Sequence, residues 1–253
     1  MSSENQLEGK VAVVVGASGE KNFGSSIARR LAAAGAKVVV SARRKEALEA
    51  LAADIDGLAV ACDATDEAQI ENLFKTAKET YGRVDIAVNS AGGLASTPIA
   101  DITAADIQPT LDLSFIGAIL IFKHAAAAME EGGSIMTVSS LTARLPGKSY
   151  AAYAGARAGI DHVVKIAASE YAGSGIRFNS IAAGLIDTDM TAGLFAMEEL
   201  VQAFVANIPV GRMGTVEDIA EAALWLADDK TSGFINGQII DLSGGQAMGA
   251  LPG

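Results

Sequence analysis

The sequence contains very little cysteine, histidine or proline. A single cysteine, Cys62, excludes an internal disulfide, and the two histidines, His124 and His162, belong to no cluster with metal-ligand spacing. We therefore expect no metal site and interpret both histidines as ordinary helix residues. Only 5 prolines occur, and no Pro/Ser-rich linker or charge block divides the chain, so a single domain spanning 1–253 is predicted.

Basic residues are also scarce. The 19 Lys and Arg stand against 30 Asp and Glu, for a net charge of −11, which argues against binding to nucleic acid or an anionic membrane and favours a small-molecule ligand. The first residues, MSSENQLEGK, lack the basic start and apolar stretch of a secretory signal. Because no charge-free apolar run approaches a membrane span, we expect a cytoplasmic protein.

Short apolar runs alternate with longer segments of helical periodicity. Runs of this kind are typical of parallel strands buried on both faces of a sheet. Seven strands are predicted, at 11–15, 37–42, 58–62, 84–89, 134–139, 176–182 and 237–242. Their separation by helices indicates βαβ units, and hence an α/β fold: a single-domain, Rossmann-type, doubly wound parallel sheet flanked by helices. The same alternation disfavours a β-sandwich or a helical bundle.

The segment 187–214 departs from this alternation, because it reads as helical pieces with glycine hinges between the last two strands. Ligands of open α/β sheets bind beyond the carboxyl ends of the strands. A long insertion there is a candidate substrate lid. A pair of packed surface helices is the alternative interpretation.

A glycine-rich turn, GASGEKNFGSS, follows the first strand and opens a helix. Glycines there let the backbone approach a pyrophosphate, whose charge is favoured by the amides at the helix N-terminus. The turn therefore indicates a dinucleotide site, with an ordinary strand-to-helix turn as the alternative.

The second strand ends in basic residues. Dinucleotide-binding folds place an acidic residue here for the adenosine ribose, or basic residues for a 2′-phosphate. This chain has Arg43 and Arg44, and we expect Lys21 of the glycine-rich turn nearby. Because the planar donor fork of Arg suits phosphate, we predict NADP(H) rather than NAD(H). The alternative is that both arginines are solvated residues at a helix start.

Tyr153 and Arg157 stand four residues apart, so they share one helix face, where the guanidinium would favour the ionised phenol. With Ser140 thirteen residues upstream, this pattern resembles the active site of the short-chain dehydrogenase/reductase family, in which Lys stands in place of Arg157. The resemblance implies that Tyr153 exchanges a proton with a carbonyl oxygen while Ser140 hydrogen-bonds that oxygen. It also implies that the cation binds nicotinamide-ribose hydroxyls, and Ser114 stands where the family has a catalytic Asn.

Further motifs carry the same resemblance along the chain. The glycine-rich turn matches the family's Gly-x-x-x-Gly-x-Gly with two extra residues and with Asn22, which tolerates a left-handed backbone, in place of the middle Gly. ACDATD, NSAG and NSIAAGLIDTDM resemble its later motifs, although Ala183 replaces a Pro. The implied cofactor contacts are Gly16, Ser18, Asn22, Phe23, Gly24, Arg43, Arg44, Asp63, Ala64, Asn89, Ala91, Gly92, Tyr153, Arg157, Gly184, Ile186 and Thr188.

The expected walls of the substrate site are mostly apolar, with no obvious Arg or Lys to hold a carboxylate. They are Gly93, Leu94, Leu141, Leu145, Leu185, Met190, Leu194, Phe195 and Met197. An uncharged alicyclic or aromatic ketone, or the matching secondary alcohol, is the predicted substrate. The resemblance further implies a homotetramer formed through the helices that carry Ser114 and Tyr153 and through the last strand.

Other activities fit parts of the same pattern. Tyr150, seven residues before Arg157, reproduces the Tyr-to-Lys spacing of enoyl reductases of this family. An isomerase or lyase would use Tyr153 without net change in the nucleotide. A non-catalytic nucleotide-binding protein would require neither, because a fold does not determine a function.

Overall fold

The computed structural model describes residues 5–195 and 197–248, without the side chains of Leu194 and Phe195. The substrate contacts predicted at these two positions therefore lie outside the described residues. Within the described chain, seven parallel strands form one sheet in the order β3-β2-β1-β4-β5-β6-β7. They are β1 Val11–Val15, β2 Lys37–Ala42, β3 Leu58–Ala61, β4 Ile86–Asn89, β5 Gly133–Ser140, β6 Ile176–Ala183 and β7 Ile239–Leu242.

The predicted α/β fold with a seven-stranded parallel sheet is confirmed. The first two strands have the predicted bounds, and the others differ by one or two residues. Two strands begin later than predicted for local reasons. The carboxylate of Asp85 binds the first N–H of β1 just before β4 begins, and Gly237 turns the chain with a positive φ of 70° just before β7.

Helices cover both faces of the sheet. They are α1 Phe23–Ala33, α2 Lys45–Asp54, α3 Glu67–Tyr81, α4 Ala104–Leu111, α5 Gly117–Ala128, α6 Ala151–Glu170, α7 Ala192–Phe195, α8 Glu198–Val205, α9 Val216–Ala227 and α10 Asp229–Ser232. One core lies between the sheet and helices α1, α2 and α9, and the other lies between the sheet and helices α3, α5 and α6. The β1 residues alternate between these two cores, which explains why the strand is apolar throughout.

A π-helical turn, Asp112–Ile116, joins α4 to α5 into one helix, Ala104–Ala128, that is long and apolar enough to cross a membrane by composition. Ala118, Ile121 and Ala125 of this helix are at most 1% exposed and pack in the second core. Core packing therefore accounts for its hydrophobicity.

The amino ends of the strands carry a network of paired polar side chains. Asp85, just before β4, accepts hydrogen bonds from the backbone N–H of Val11, from Lys10 and from two nitrogens of Arg83. Burial alone would raise the pKa of Asp85, but the bonds from Arg83 and Val11 and the charge of Lys10 hold it below its usual range. This edge of the sheet thus contains a buried carboxylate whose charge is fully compensated.

The same edge continues through β5 and β6. The buried guanidinium of Arg177 donates to the carbonyls of Ile235 and Leu226 and to Asp229. The hydroxyl of Ser134, at the start of β5, also donates to the Leu226 carbonyl, at 2.8 Å. These bonds hold the segments that follow α9 against the amino edge of the sheet.

Candidate active site

A cavity of about 870 Å³ opens at the carboxyl ends of β1 to β6, the edge at which open α/β sheets bind ligands. It is continuous from the ends of β2 and β3 to the loop between β5 and α6. The sequence-predicted residues that line it are Gly16, Ser18, Asn22, Phe23, Arg43, Arg44, Asp63, Ala64, Ala91, Gly92, Leu94, Ser140, Leu141, Leu145, Tyr153, Gly184, Leu185, Ile186, Thr188 and Met190. Most of the predicted site residues therefore line one cavity.

The glycine-rich turn begins with a residue that must be glycine. Gly16 has φ of 92°, and a Cβ there would lie 2.6 Å from the backbone nitrogen of Ala91. A Cβ on Gly24 would lie 2.6 Å from the Gly16 carbonyl oxygen, so Gly24 serves packing within the turn and does not line the cavity. The backbone can thus approach a ligand closely at Gly16, which fits the pyrophosphate of a dinucleotide.

Asn22 acts differently from our prediction. Its φ of −135° is extended rather than left-handed, and it is the N-cap of α1. Its side-chain oxygen accepts a hydrogen bond from Ser25 N at 2.8 Å, and its amide donates to the Gly16 carbonyl at 2.9 Å. The Asn side chain therefore ties the lengthened turn to the helix start, so a residue with a side chain suits this position better than a Gly.

Lys21 is held against the start of the 187–214 segment. Its ammonium pairs with Asp187, its backbone N–H donates to the Asp189 carboxylate at 3.1 Å, and its carbonyl accepts from Asp189 N at 2.9 Å. The glycine-rich turn is thus joined to the start of the 187–214 segment. That segment contains α7 and α8, and its Thr191, Gly193 and Phe204 line the cavity with Met190.

The basic end of the cavity contains Arg43 and Arg44. Arg44 donates to the hydroxyl of Ser18 at 3.3 Å and to the Ser18 carbonyl, which holds the guanidinium across the glycine-rich turn. Asp63 also lines this end. Hydrogen bonds from the backbone and side chain of Thr65 hold the pKa of Asp63 below its usual range, so the carboxylate is ionised at neutral pH.

Ser140 and Tyr153 line the other half of the cavity. Ser140 ends β5, where its hydroxyl oxygen accepts from Thr142 N at 3.2 Å and from the Thr142 hydroxyl at 2.9 Å. The Ser140 O–H is therefore directed by an ordered turn. Tyr153 lies in the first turn of α6, and its ring meets that of Tyr150 edge to face at 6.4 Å.

Arg157 does not reach the cavity. It is 5% exposed, its guanidinium carbon lies 5.3 Å from the centroid of the Tyr153 ring, and its Nη1 donates to the Val138 carbonyl at 3.1 Å. A Cβ on Gly92 would lie 2.0 Å from its Nη2. The guanidinium thus packs over the face of the Tyr153 ring and against Gly92.

Ser114 likewise does not line the cavity. It sits in the π-helical turn, is 1% exposed, and its hydroxyl has no hydrogen-bond partner among the described residues. The Nε of Arg157, the amide nitrogen of Asn89 and the hydroxyls of Ser41, Ser139 and Ser243 are also buried and unpartnered there. Four of these six groups lie at or just after the carboxyl ends of strands.

Several other predicted site residues lie off the cavity wall. Asn89 is buried at the end of β4, where its side-chain oxygen accepts from Ala91 N at 3.1 Å and so shapes the following turn. Gly93 and Met197 do not line the cavity, and Met197 is 57% exposed. Of these three residues, only Asn89 helps to shape the site.

The cavity wall also contains residues that were not among the predicted cofactor and substrate contacts. They are Val15, Ala42, Cys62, Ser90, Leu113, Ser139, Thr142, Pro146, Gly147, Lys148, Tyr150, Ala183, Thr191, Gly193, Phe204 and Gln246. Burial raises the pKa of the Cys62 thiol to about 11, so it is a protonated packing group. Lys148 corrects our expectation that the site offers no basic side chain to a carboxylate. In the sequence, the only indication of this role was the position of Lys148 in the loop before Tyr150.

A glycine-rich turn, a basic end and a Ser-Tyr pair in one cavity define an oxidoreductase of the dinucleotide-binding α/β class. Comparison with known proteins agrees with this assignment. Residues 16–247 match the family model described as Enoyl-(Acyl carrier protein) reductase.

In the part of the chain that the structure describes, no group of three or more His, Cys, Asp or Glu residues could hold a metal ion.

Individual relatives cover nearly the whole chain. Borneol dehydrogenase from Lavandula x intermedia is 35% identical over 248 residues, 96% of this chain and 92% of the relative. The 7alpha-hydroxysteroid dehydrogenase of Escherichia coli is 34% identical over 252 residues, 96% of this chain and 97% of the relative. The structure of a short-chain type dehydrogenase/reductase from Mycobacterium ulcerans superposes with a TM-score of 0.92 at 30% identity, covering 96% and 91% of the two chains.

The chain belongs to the short-chain dehydrogenase/reductase family. It is an oxidoreductase, and the family uses NAD or NADP as its cofactor.

Proposed function

We propose that this protein is an NADP(H)-dependent carbonyl reductase or alcohol dehydrogenase that interconverts an apolar alicyclic or aromatic ketone and the secondary alcohol. The main support is that Ser140 and Tyr153 share one continuous cavity with Arg43 and Arg44. The cofactor supplies the hydride when bound. The protein's own groups must then bind it, hold the carbonyl and manage one proton.

Tyr153 is the proposed proton donor in reduction and acceptor in oxidation. Ser140 holds the same substrate oxygen through its O–H, which stabilises the charge that develops there. Arg157 positions the phenol by packing against the Tyr153 ring. Ser114, predicted as a catalytic partner, has a hydroxyl free to hold a buried water below the site.

The choice of NADP(H) rests on the end of β2. Ala42 lines the cavity where an acidic residue would meet the ribose, and Arg43 and Arg44 follow it. Arg44 already makes hydrogen bonds to Ser18, so Arg43 is the more available fork for a 2′-phosphate. Gly16 and the start of α1 would hold the pyrophosphate, and Ile186 and Thr188 would lie along the nicotinamide.

The substrate half of the cavity supports an apolar ring system. Leu94, Leu141, Leu145, Leu185 and Met190 supply most of its wall. Two relatives are named for the dehydrogenation of borneol and of a 7alpha-hydroxysteroid, both alicyclic alcohols. The 187–214 segment would act as the lid over this half, since four of its residues beyond Thr188 line it.

Reduction of a double bond conjugated to a carbonyl is a second candidate. It is favoured by Tyr150, which lines the same cavity seven residues before Arg157, and by the description of the matching family model. Saturated ketones and conjugated enones separate the two functions, because only a carbonyl reductase consumes NADPH with the saturated compound.

The assembly proposed is a cytoplasmic homotetramer built on α5, α6 and β7, with no nucleic-acid or membrane partner. Ile166 on α6 is 46% exposed, Ile116 just before α5 is 45% exposed, and β7 is an edge strand with half-buried isoleucines. Exposed apolar side chains on these elements suit an interface. Light scattering at several concentrations would measure the state, and a monomer throughout would exclude the tetramer.

The decisive test follows NADPH absorbance across cyclic and aryl ketones, with NADH and Tyr153→Phe in parallel. We expect oxidation that prefers NADPH and falls about 10²-fold or more in Tyr153→Phe, because the proton donor is lost. Tyr150→Phe is the matched control and should retain ketone reduction. NADPH binding without oxidation by any ketone or enone would reject both redox functions in favour of a lyase, isomerase or binding role.

A further inference from the structure

The loop before α6 makes a tight turn at the mouth of the substrate half. Tyr150 N donates to the Gly147 carbonyl at 3.4 Å, with Lys148 and Ser149 between them. Ser149 has φ of 69°, a left-handed conformation that costs a residue with a Cβ about 1 kcal/mol or more. Its carbonyl accepts a hydrogen bond from Thr97 N at 2.8 Å, which joins the turn to the opposite loop.

Three residues of this turn border the cavity. Gly147, Lys148 and Tyr150 all line the cavity, whereas Ser149 does not. A Cβ on Gly147 would lie 2.5 Å from the Tyr150 ring, so the ring packs on the turn itself. The hydrogen bond from Thr97 and the packing of the ring thus hold the backbone of this turn, and Lys148 lies at the exposed rim of the cavity.

Lys148 is the single cation in the substrate half among the described wall residues, since Arg43 and Arg44 lie at the nucleotide end. No hydrogen bond or ion pair links it to any residue from 5 to 195 or from 197 to 248. Gln246, from the segment after β7, also lines the cavity, and its side-chain amide makes no bond within the same residues. The cavity wall thus includes one lysine and one glutamine whose side chains are uncommitted among the described residues.

We propose that Lys148 and Gln246 form a subsite for a carboxylate carried by the ketone substrate away from its reacting carbonyl. An apolar body would occupy the leucine-lined wall, the carbonyl would meet Ser140 and Tyr153, and the carboxylate would meet Lys148 and Gln246. Ammonium and amide N–H groups are donors suited to a carboxylate. This inference rests on the proposed function and narrows its substrate to oxo acids.

The test compares 4-oxo-4-phenylbutanoate with its methyl ester, which differ in charge and little in shape. With NADPH, we expect the wild type to show a KM about fivefold lower for the acid, an effect of the size expected for a partly exposed ion pair. Lys148→Met should bring the ratio of the two KM values close to one. Lys148→Arg should keep the preference, and added salt should weaken it.

Lys75→Met is the matched control, because Lys75 is an exposed lysine of α3 outside the cavity wall. It removes the same charge and should leave the preference intact. Equal KM values for acid and ester in the wild type, or a preference that survives in Lys148→Met, would overturn the proposal.

Calorimetry of the same two compounds on the NADP⁺-loaded protein separates this inference from the proposed function. Tighter binding of the acid that Lys148→Met removes would support the subsite even if neither ketone is reduced. Equal binding of acid and ester would reject the subsite even if ketones are turned over.

Discussion

Buried polar groups are paired at the amino ends of the strands, whereas several at the carboxyl ends are not. Asp85 accepts four hydrogen bonds at the first edge, and Arg177 donates three. At the second edge, Asn89 and Ser243 each keep a buried polar atom without a partner in the described chain. Unpaired buried groups cost stability, so a protein keeps them where another molecule completes them. The amino edge of the sheet therefore contributes stability, whereas the carboxyl edge is suited to ligand binding.

Asp85→Ala should have the largest effect on the first edge. It leaves the N–H of Val11 unpaired and removes the charge that Arg83 and Lys10 surround, which we expect to lower the free energy of unfolding by about 3 kcal/mol. Urea denaturation measures this loss. The folded fraction should keep wild-type affinity for NADPH; weaker binding would show that the two edges are not independent.

The same carboxylate should make stability depend on pH. Because the pKa of Asp85 is lower in the folded protein, its contribution is present above the unfolded pKa of about 3.9 and is lost as pH falls through the folded value. Asp85→Asn should flatten this part of the acid limb in denaturation curves measured at a series of pH values. An acid limb identical to that of the wild type would assign the dependence to other carboxylates.

Arg43→Ala tests the second edge at its nucleotide end. We expect the Kd for NADPH to rise about tenfold, because a charge-assisted hydrogen bond to the 2′-phosphate is lost, and the Kd for NADH to stay nearly constant. Fluorescence titration of both nucleotides measures the two values. Equal weakening of both would mean that Arg43 has no role in choosing NADPH.

Arg157→Lys asks whether the buried guanidinium serves structure or chemistry. Lys cannot both lie over the Tyr153 ring and reach the Val138 carbonyl as Arg does, so we expect a loss of about 1 kcal/mol in stability. Turnover should be retained or raised, because Lys keeps a cation at the position that packs against Tyr153. A collapse in kcat with unchanged stability would show that the site requires a guanidinium.

The smallest and sharpest contrast lies within β5. Ser134 and Ser139 are both at most 3% exposed, but only Ser134, at the amino end, makes a hydrogen bond of good geometry. The Ser139 hydroxyl lies close to the carboxylate of Asp161. Ser134→Ala should cost about 1 kcal/mol, and Ser139→Ala should change stability by less than about 0.5 kcal/mol. Equal losses in thermal denaturation would mean that the hydroxyl of Ser139 is paired in solution.

The sequence predicted the strands well because β1, β2, β4, β5 and β6 are buried on both faces, and burial leaves continuous apolar runs. It could not predict the paired amino edge. Lys10 and Asp85 are far apart in the chain, and only the pairing of β1 with β4 brings them together.

The site was predictable where spacing alone decides it. Ser140 and Tyr153 face the same cavity because a strand end and a helix start meet there. Spacing also placed Arg157 on the helix face of Tyr153, but the direction of its side chain depends on contacts with Val138 and Gly92. Lys148 was missed because its place at the cavity depends on a turn that includes a positive φ at Ser149, a conformation that the residue type does not predict.

Because Gly92 and Arg157 are in contact, the substitutions tolerated at one of these positions depend on the residue at the other. Any side chain at 92 would occupy the space of the guanidinium, so even Gly92→Ala requires Arg157 to move away from the Tyr153 ring. A shorter residue at 157 would release that restriction. Variation at these two positions should therefore be correlated: a library that randomises both together will recover active combinations that neither single-site library contains.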